Sequence, residues 1–288
     1  LLRRLDEEHP GVRQATLDVL TTLCASRGLV VEESVLHRAI ELTADETVGV
    51  RSEAASALAV FCDGLDHPPR ISALQSKLTD ASPRVRASAA AALGDLRQTQ
   101  LANDVANLLQ DEDADVRFEA AFALASLKDD RGRTLLEAKL ADKKLRLDAC
   151  EALKRLGDPR ARPALKRLLE KWFLPWVDKL AAQATLHVLG EPKAHEYVLD
   201  RSGSRNLRER SYALALMGSH GIHEGQAILQ RIAEDERDVL RGTAIRSLGE
   251  LGGPQSRRFL QTLQDKVRGS DYDEDVQDAL QTLKKTEQ

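Results

Sequence analysis

Apolar residues recur at i, i+3, i+4 and i+7 through most of this chain. In "ARPALKRLLE" (161–170) they place Leu165, Leu168 and Leu169 on one side of a helical wheel. The segments "LANDVANLLQ" (101–110), "QAILQRIAED" (226–235) and "SRRFLQTLQD" (256–265) carry the same spacing, and each predicts an amphipathic helix. No β-branched run alternates with polar residues over a useful length, so the chain reads as all-α.

Between these segments a second pattern repeats. "DASPRVRASAAAALGDL" (80–96) matches "DEDADVRFEAAFALASL" (111–127), "DETVGVRSEAASALAVF" (45–61) and "DERDVLRGTAIRSLGEL" (235–251). Weaker copies are "EEHPGVRQATLDVL", "DKKLRLDACEALKRLGD", "RNLRERSYALALMG" and "DYDEDVQDALQTL". The arginine after the Val or Leu serves as a ruler and falls at Arg13, Arg51, Arg86, Arg117, Arg146, Arg208 and Arg241, with Gln277 in that slot at the end. Steps of about 29 to 38 residues leave room for two helices of roughly 12 residues and two short turns. The step from Arg146 to Arg208 is double, which predicts a degraded copy between them.

Each part of the pattern has a physical use. Small residues such as Ala89 and Ala90 allow close helix approach, while Val85, Leu93 and Leu96 fill the seam. An aspartate at the turn can cap the following helix and bond an arginine; Asp45, Asp80, Asp111, Asp235 and Asp271 occupy that slot. Gly94, Gly157, Gly190, Gly218 and Gly252 stand near the ends of second helices, where left-handed caps are expected. "CDGLDHPPRIS" and "RSGSRN" read as loops between helices.

On these repeated residues the chain resembles the HEAT-repeat family, in its short bacterial, lyase-type form, over residues 5 to 284. The resemblance implies a right-handed α-α superhelix of about nine helical hairpins, with second helices lining a concave side. It predicts a single solenoid over residues 1–288, its first repeat truncated. The chain opens at Leu1, already in a helical pattern, and reads as the remainder of something longer.

The degraded sixth repeat begins in "EKWFLPWVDK" (170–179), which holds both tryptophans of a chain that is only 3% aromatic. Counting back from Val177 puts Trp172 in the aspartate slot and Asp178 in the arginine slot; counting from Asp178 gives Phe173 and Lys179. Either register predicts an aromatic in place of the aspartate and an interrupted ladder, with Pro175 breaking the helices apart. Two readings of Trp172, Phe173 and Trp176 follow: apolar packing between repeats, or an exposed anchor for a partner. Phe118 and Phe122 stand at i and i+4 in columns where other repeats carry Gln14, Ser52 and Ala87, or Asp18, Ser56 and Ala91. Facing a groove beside Leu147 they would floor a peptide site; if their helix is rotated they are core.

Charge modifies this picture locally. Residues 128–171 carry a net +6 in a chain of −4, leaving −10 elsewhere. The sequence pI near 6.0 argues against a general affinity for nucleic acid. Cys24, Cys62 and Cys150 are odd in number and set in apolar patterns, as reduced core thiols are. No apolar run approaches the roughly 18 residues of a membrane span. His195 with Glu196, and His220 with His223 and Glu224, invite a metal reading. In HEAT-type deoxyhypusine hydroxylases, however, the iron-binding pairs follow the ladder arginine, where this chain has Gln14, Ser52, Ala87, Phe118 and Leu147. Asp111, Glu112, Asp113 and Asp115 form a helix-capping turn without the glycine and glutamate spacing of an EF-hand.

No catalytic residue, cofactor or metal is expected. The expected function is a cytoplasmic, non-enzymatic scaffold binding a protein partner through Phe118, Phe122, Leu147, Trp172, Phe173 and Trp176. Two alternatives come from relatives that share these repeats: an enzyme subunit of the bilin lyase or hydroxylase kind, and a nucleic-acid module resembling alkylpurine DNA glycosylases.

Overall fold

The computed structural model describes residues 2–27, 29–61 and 67–286, and their regular structure is entirely helical. Cys62 lies outside the described residues, as does the opening of the loop expected from position 62. Of the rest of that segment, His67 is the N-cap of the helix Pro68–Lys77 and the remainder belongs to it, while "RSGSRN" does connect two helices.

The chain forms two compact units, Leu1–Lys139 and Leu140–Gln288. In the first, the second helices Pro10–Arg27, Val48–Leu58, Pro83–Asp95 and Ala114–Ser126 stack each on the next. The first helices Leu2–Leu5, Glu33–Leu42, Pro68–Lys77 and Ala102–Asn107 pack against them. Val50, Ala54, Leu58, Ala89, Ala90, Leu93, Val116, Ala120 and Leu124 form the seam, the positions the repeated pattern marks as apolar or small. The second unit repeats the scheme with Arg146–Leu156, Trp176–Val188, Leu207–Ser219, Arg241–Leu251 and Asp273–Thr286. Its core runs through Leu180, Ala184, Ala213, Leu214, Met217, Ala244, Leu248 and Ala279.

Repeats are tied turn to turn by arginine. Arg51 Nη1 donates to the carbonyls of Asp45 and Glu46 in its own turn, while Nε and Nη2 donate to the Asp80 carboxylate of the next repeat at 2.9 and 3.0 Å. Asp80 also accepts the backbone N–H of Ser82, which shapes the turn, and its own carbonyl accepts from Arg86. Arg86 in turn reaches Asp111 with two bonds of 2.8 Å, and Arg117 donates to the carbonyls of Asp111 and Glu112. Arg13 begins the relay, bonding Glu7 O, Glu8 O and Asp45. These side chains are largely buried, so each guanidinium satisfies carbonyls that water would otherwise have to reach.

The second unit departs from the expected slots. Arg146 bonds Leu140 O and pairs with Asp178, which is buried in the first turn of its helix. The turn aspartate is missing from the degraded repeat as predicted, yet the link arriving from Arg146 is kept, because an aspartate inside the helix accepts it. In the next repeat the ladder arginine is Arg210, not the exposed Arg208, and it pairs with Asp238 rather than Asp235. Asp235 instead accepts the N–H of Arg237 within the turn. At Arg241 an aromatic does take the aspartate's place: the guanidinium lies 4.7 Å from the centre of the Tyr272 ring.

The glycines divide by role. Gly157, Gly190 and Gly252 have positive φ and cap second helices as expected. Gly94 and Gly218 do not. A Cβ on Gly94 would stand 2.7 Å from Ala123 Cα, and one on Gly218 would stand 2.7 Å from Ser247 O, so these glycines permit neighbouring second helices to touch. The left-handed cap after Gly94 falls on Arg97, at φ 51°.

Gly94→Val should separate the two helices and lower stability by about 1–3 kcal/mol, read as the midpoint of urea unfolding. The hydrogen bond from Arg86, opposed by burial, holds the Asp111 carboxyl below its ordinary range. The unfolded chain thus binds this proton more tightly than the folded one. The stabilisation is complete above the ordinary aspartate pKa of about 3.9 and disappears as pH falls below it. Asp111→Asn should cost about 2–4 kcal/mol at neutral pH and flatten the acid limb of stability against pH.

Candidate functional site

The segment that breaks the repeat lies between two firmly seated helices. Arg162–Leu169 buries Leu165 and Leu168, and Trp176–Val188 follows Pro175, whose extended ψ of 144° makes it the N-cap. Lys179 N–H donates to Pro175 O at 3.0 Å, and Trp172 and Phe173, four and three residues before the first residue of that helix, are exposed to solvent. They are 91% and 89% exposed, the highest values among the large apolar side chains described, and contact each other edge to face at 6.3 Å. Trp176 behaves oppositely: it is half-buried, edge to face with Tyr212 at 6.2 Å, and packs on the second unit's core. The cluster therefore divides, Trp176 serving as packing and Trp172 and Phe173 standing exposed.

Beneath the turn lies a buried polar block. Asp178 and Arg146 pair there, and Thr185 Oγ1 donates to Cys150 O at 3.4 Å. Burial, helped by the negative charge of Asp178, pushes the Cys150 thiol up to about 12. Burial also raises the Tyr212 phenol to about 12. Both groups are thereby held protonated at neutral pH. Cys24 and Cys150 are free, buried thiols, in agreement with the reading of their sequence context.

The other predicted anchors differ in exposure. Phe118 is only 4% exposed, so it is not the exposed floor that its column suggested; its helix turns the ring inward, edge to face with Phe122 at 6.4 Å. Phe122 is half-buried. Leu147 is 38% exposed on the helix Arg146–Leu156 of the second unit. Much of the basic excess is internally paired: Arg133 with Glu137, Lys154 and Arg155 with Glu151, and Lys166 with Glu191. Lys143, Lys144, Arg167 and Lys171 are exposed. Asp113 caps the helix Ala114–Ser126 by accepting from Asp115 and Val116 N–H, as the acidic turn implied.

The histidines regroup. His195 approaches His187 and Glu224 rather than pairing with Glu196, a grouping that sequence spacing did not indicate. His220 is separate: burial lowers its pKa to about 4, and its Nδ1 lies 3.0 Å from Ser219 Oγ.

Known proteins match this architecture. Residues 68–146 match the family of HEAT repeats, and residues 145–171 match the PBS lyase HEAT-like repeat. Residues 68–171 thus carry repeats of the HEAT kind, and the fold of the chain is that of a HEAT-type solenoid. Its fold resembles a chain in the complex of CpcE and CpcF of phycocyanin lyase from Nostoc sp. PCC7120, with TM-score 0.57 and 22% identity over 90% of this chain and 97% of that one. It also resembles a chain of the full-length AP-3 complex, with TM-score 0.50 and 16% identity over 94% of this chain and 54% of that one. Human deoxyhypusine hydroxylase aligns at TM-score 0.36 and 18% identity, over 88% of this chain and 97% of that one. No curated protein sequence matches the chain.

The division among the aromatics predicts divergent mutant phenotypes. Trp172→Ser and Phe173→Ser should each change stability by less than about 0.5 kcal/mol, whereas Trp176→Ala should cost about 2–3 kcal/mol. Thermal unfolding of the three variants measures both effects.

Proposed function

We propose that this chain is a non-enzymatic scaffold of the cytoplasm that binds a protein partner, with Trp172 and Phe173 as its anchor. The observation that carries the reading is the exposure of this adjacent pair on a turn seated over buried packing. Solvating two such rings is unfavourable by roughly 1.5–3 kcal/mol each relative to burial, so covering them is a substantial source of affinity. The exposed Lys171 beside them and Arg167 one helical turn earlier suit a partner segment that joins apolar side chains to acidic ones. Free buried thiols fit a reducing compartment. Among the described residues no helix is long and apolar enough to cross a membrane.

A second reading, an enzyme subunit of the lyase kind, draws on the lyase-type repeat match that ends at Lys171, next to the aromatic pair. Binding of an open-chain tetrapyrrole that quenches tryptophan fluorescence, and is lost in Trp172→Ser, would favour it.

The scaffold reading is tested by affinity capture from source lysate with the parent chain beside a Trp172→Ser, Phe173→Ser double variant. One protein retained by the parent should bind the variant at least about tenfold more weakly when both are purified. Equal retention by the two chains would remove the aromatic turn from the interface.

A further inference from the structure

We propose that His187, His195 and Glu224 form a binding site for a divalent transition-metal ion of the zinc class. His187 stands in the last turn of the helix Trp176–Val188, and His195 in the first turn of Ala194–Arg201. Glu224 lies in the single turn His223–Gly225 that leads into Gln226–Glu234. One ligand atom from each of the three lies within 4.8 Å of the others. In a tetrahedral site with bonds of about 2.0–2.2 Å, ligand atoms stand about 3.3–3.6 Å apart, so side-chain adjustments of about 1 Å close the shell.

The surroundings favour that closure. The two imidazoles meet edge to face, their centroids 5.4 Å apart and their planes at 76°, which lets ring nitrogens converge without stacking. The loop between the two histidines is held in place: Lys166 pairs with Glu191 at 2.7 Å, and Arg162 donates to Gly190 O at 3.3 Å. Both histidines are half-buried and Glu224 is exposed, so three protein ligands would close one side and leave the solvent side to water. Two imidazoles and one carboxylate suit zinc, cobalt or nickel rather than calcium or magnesium, which prefer all-oxygen shells. The ligands come from three consecutive stretches of the repeat, so the ion would cross-link them. These positions are not the slots following the ladder arginine.

The test is calorimetric titration of the full chain, free of any affinity tag, with Zn²⁺ at neutral pH, followed by visible absorption with Co²⁺. One equivalent should bind, Co²⁺ should give the intense bands of a four- or five-coordinate site, and saturating Zn²⁺ should raise Tm by a few degrees. Loss of second-shell partners alone costs 10–100-fold in affinity, so His187→Ala or His195→Ala should weaken binding at least about a hundredfold. Glu224→Gln, at an exposed side chain, gives the same readout without threatening the fold, and far-UV circular dichroism confirms the histidine variants. Absence of stoichiometric binding, a Co²⁺ spectrum of the octahedral aqua ion, or equal binding by parent and Glu224→Gln overturns the site.

Discussion

A guanidinium shared between carbonyls of its own turn and an acceptor of the next repeat is the contact on which the rest of this structure depends. The seam of alanines and leucines is similar at every level, and an apolar seam of that kind does not by itself define which turn lies beside which. The ion pair does. Arg51 meets Asp80, Arg86 meets Asp111, and each aspartate also bonds the turn that presents it. A buried ion pair contributes modestly to stability after desolvation, and its clearer effect is to disfavour other registers, since a displaced arginine would be buried without a partner.

That requirement accounts for the form of the aromatic turn. In the degraded repeat the carboxylate sits at Asp178, within the helix, so the residues before it are released from the ladder. Trp176 turns back to the core, while Trp172 and Phe173 extend away from it. The repeat supplies a rigid support, and the local departure from the repeat supplies a surface. Chains of the phycocyanin lyase complex and the AP-3 complex share the fold at 22% and 16% identity, a likeness that concerns the support and not the surface.

Helix class, repeat length, seam residues and the first three ladder aspartates were legible in the sequence because they recur with a fixed spacing. Legibility failed where spacing changed. An insertion of a few residues moves the acceptor from Asp235 to Asp238, and a shift of two moves the donor from Arg208 to Arg210. Tyr272 substitutes a ring for a carboxylate, which a search for acidic residues passes over. Phe118 shares its column with half-buried Gln14 and Ala87, buried Ser52 and exposed Leu147, so the column alone does not fix burial, and the ring proves to be buried.

The sequence by itself determined an all-helical repeat architecture, since periodicity at two scales survives substitution at any one position. It also determined that the tryptophans cluster at the point where the repeat is weakest. Only the tertiary structure decided which of those aromatics reach solvent, that Asp178 receives the link from Arg146, and that His187, His195 and Glu224 meet. Each of these depends on distances between residues from different helices, and such distances are fixed by packing and not by the local order of the chain.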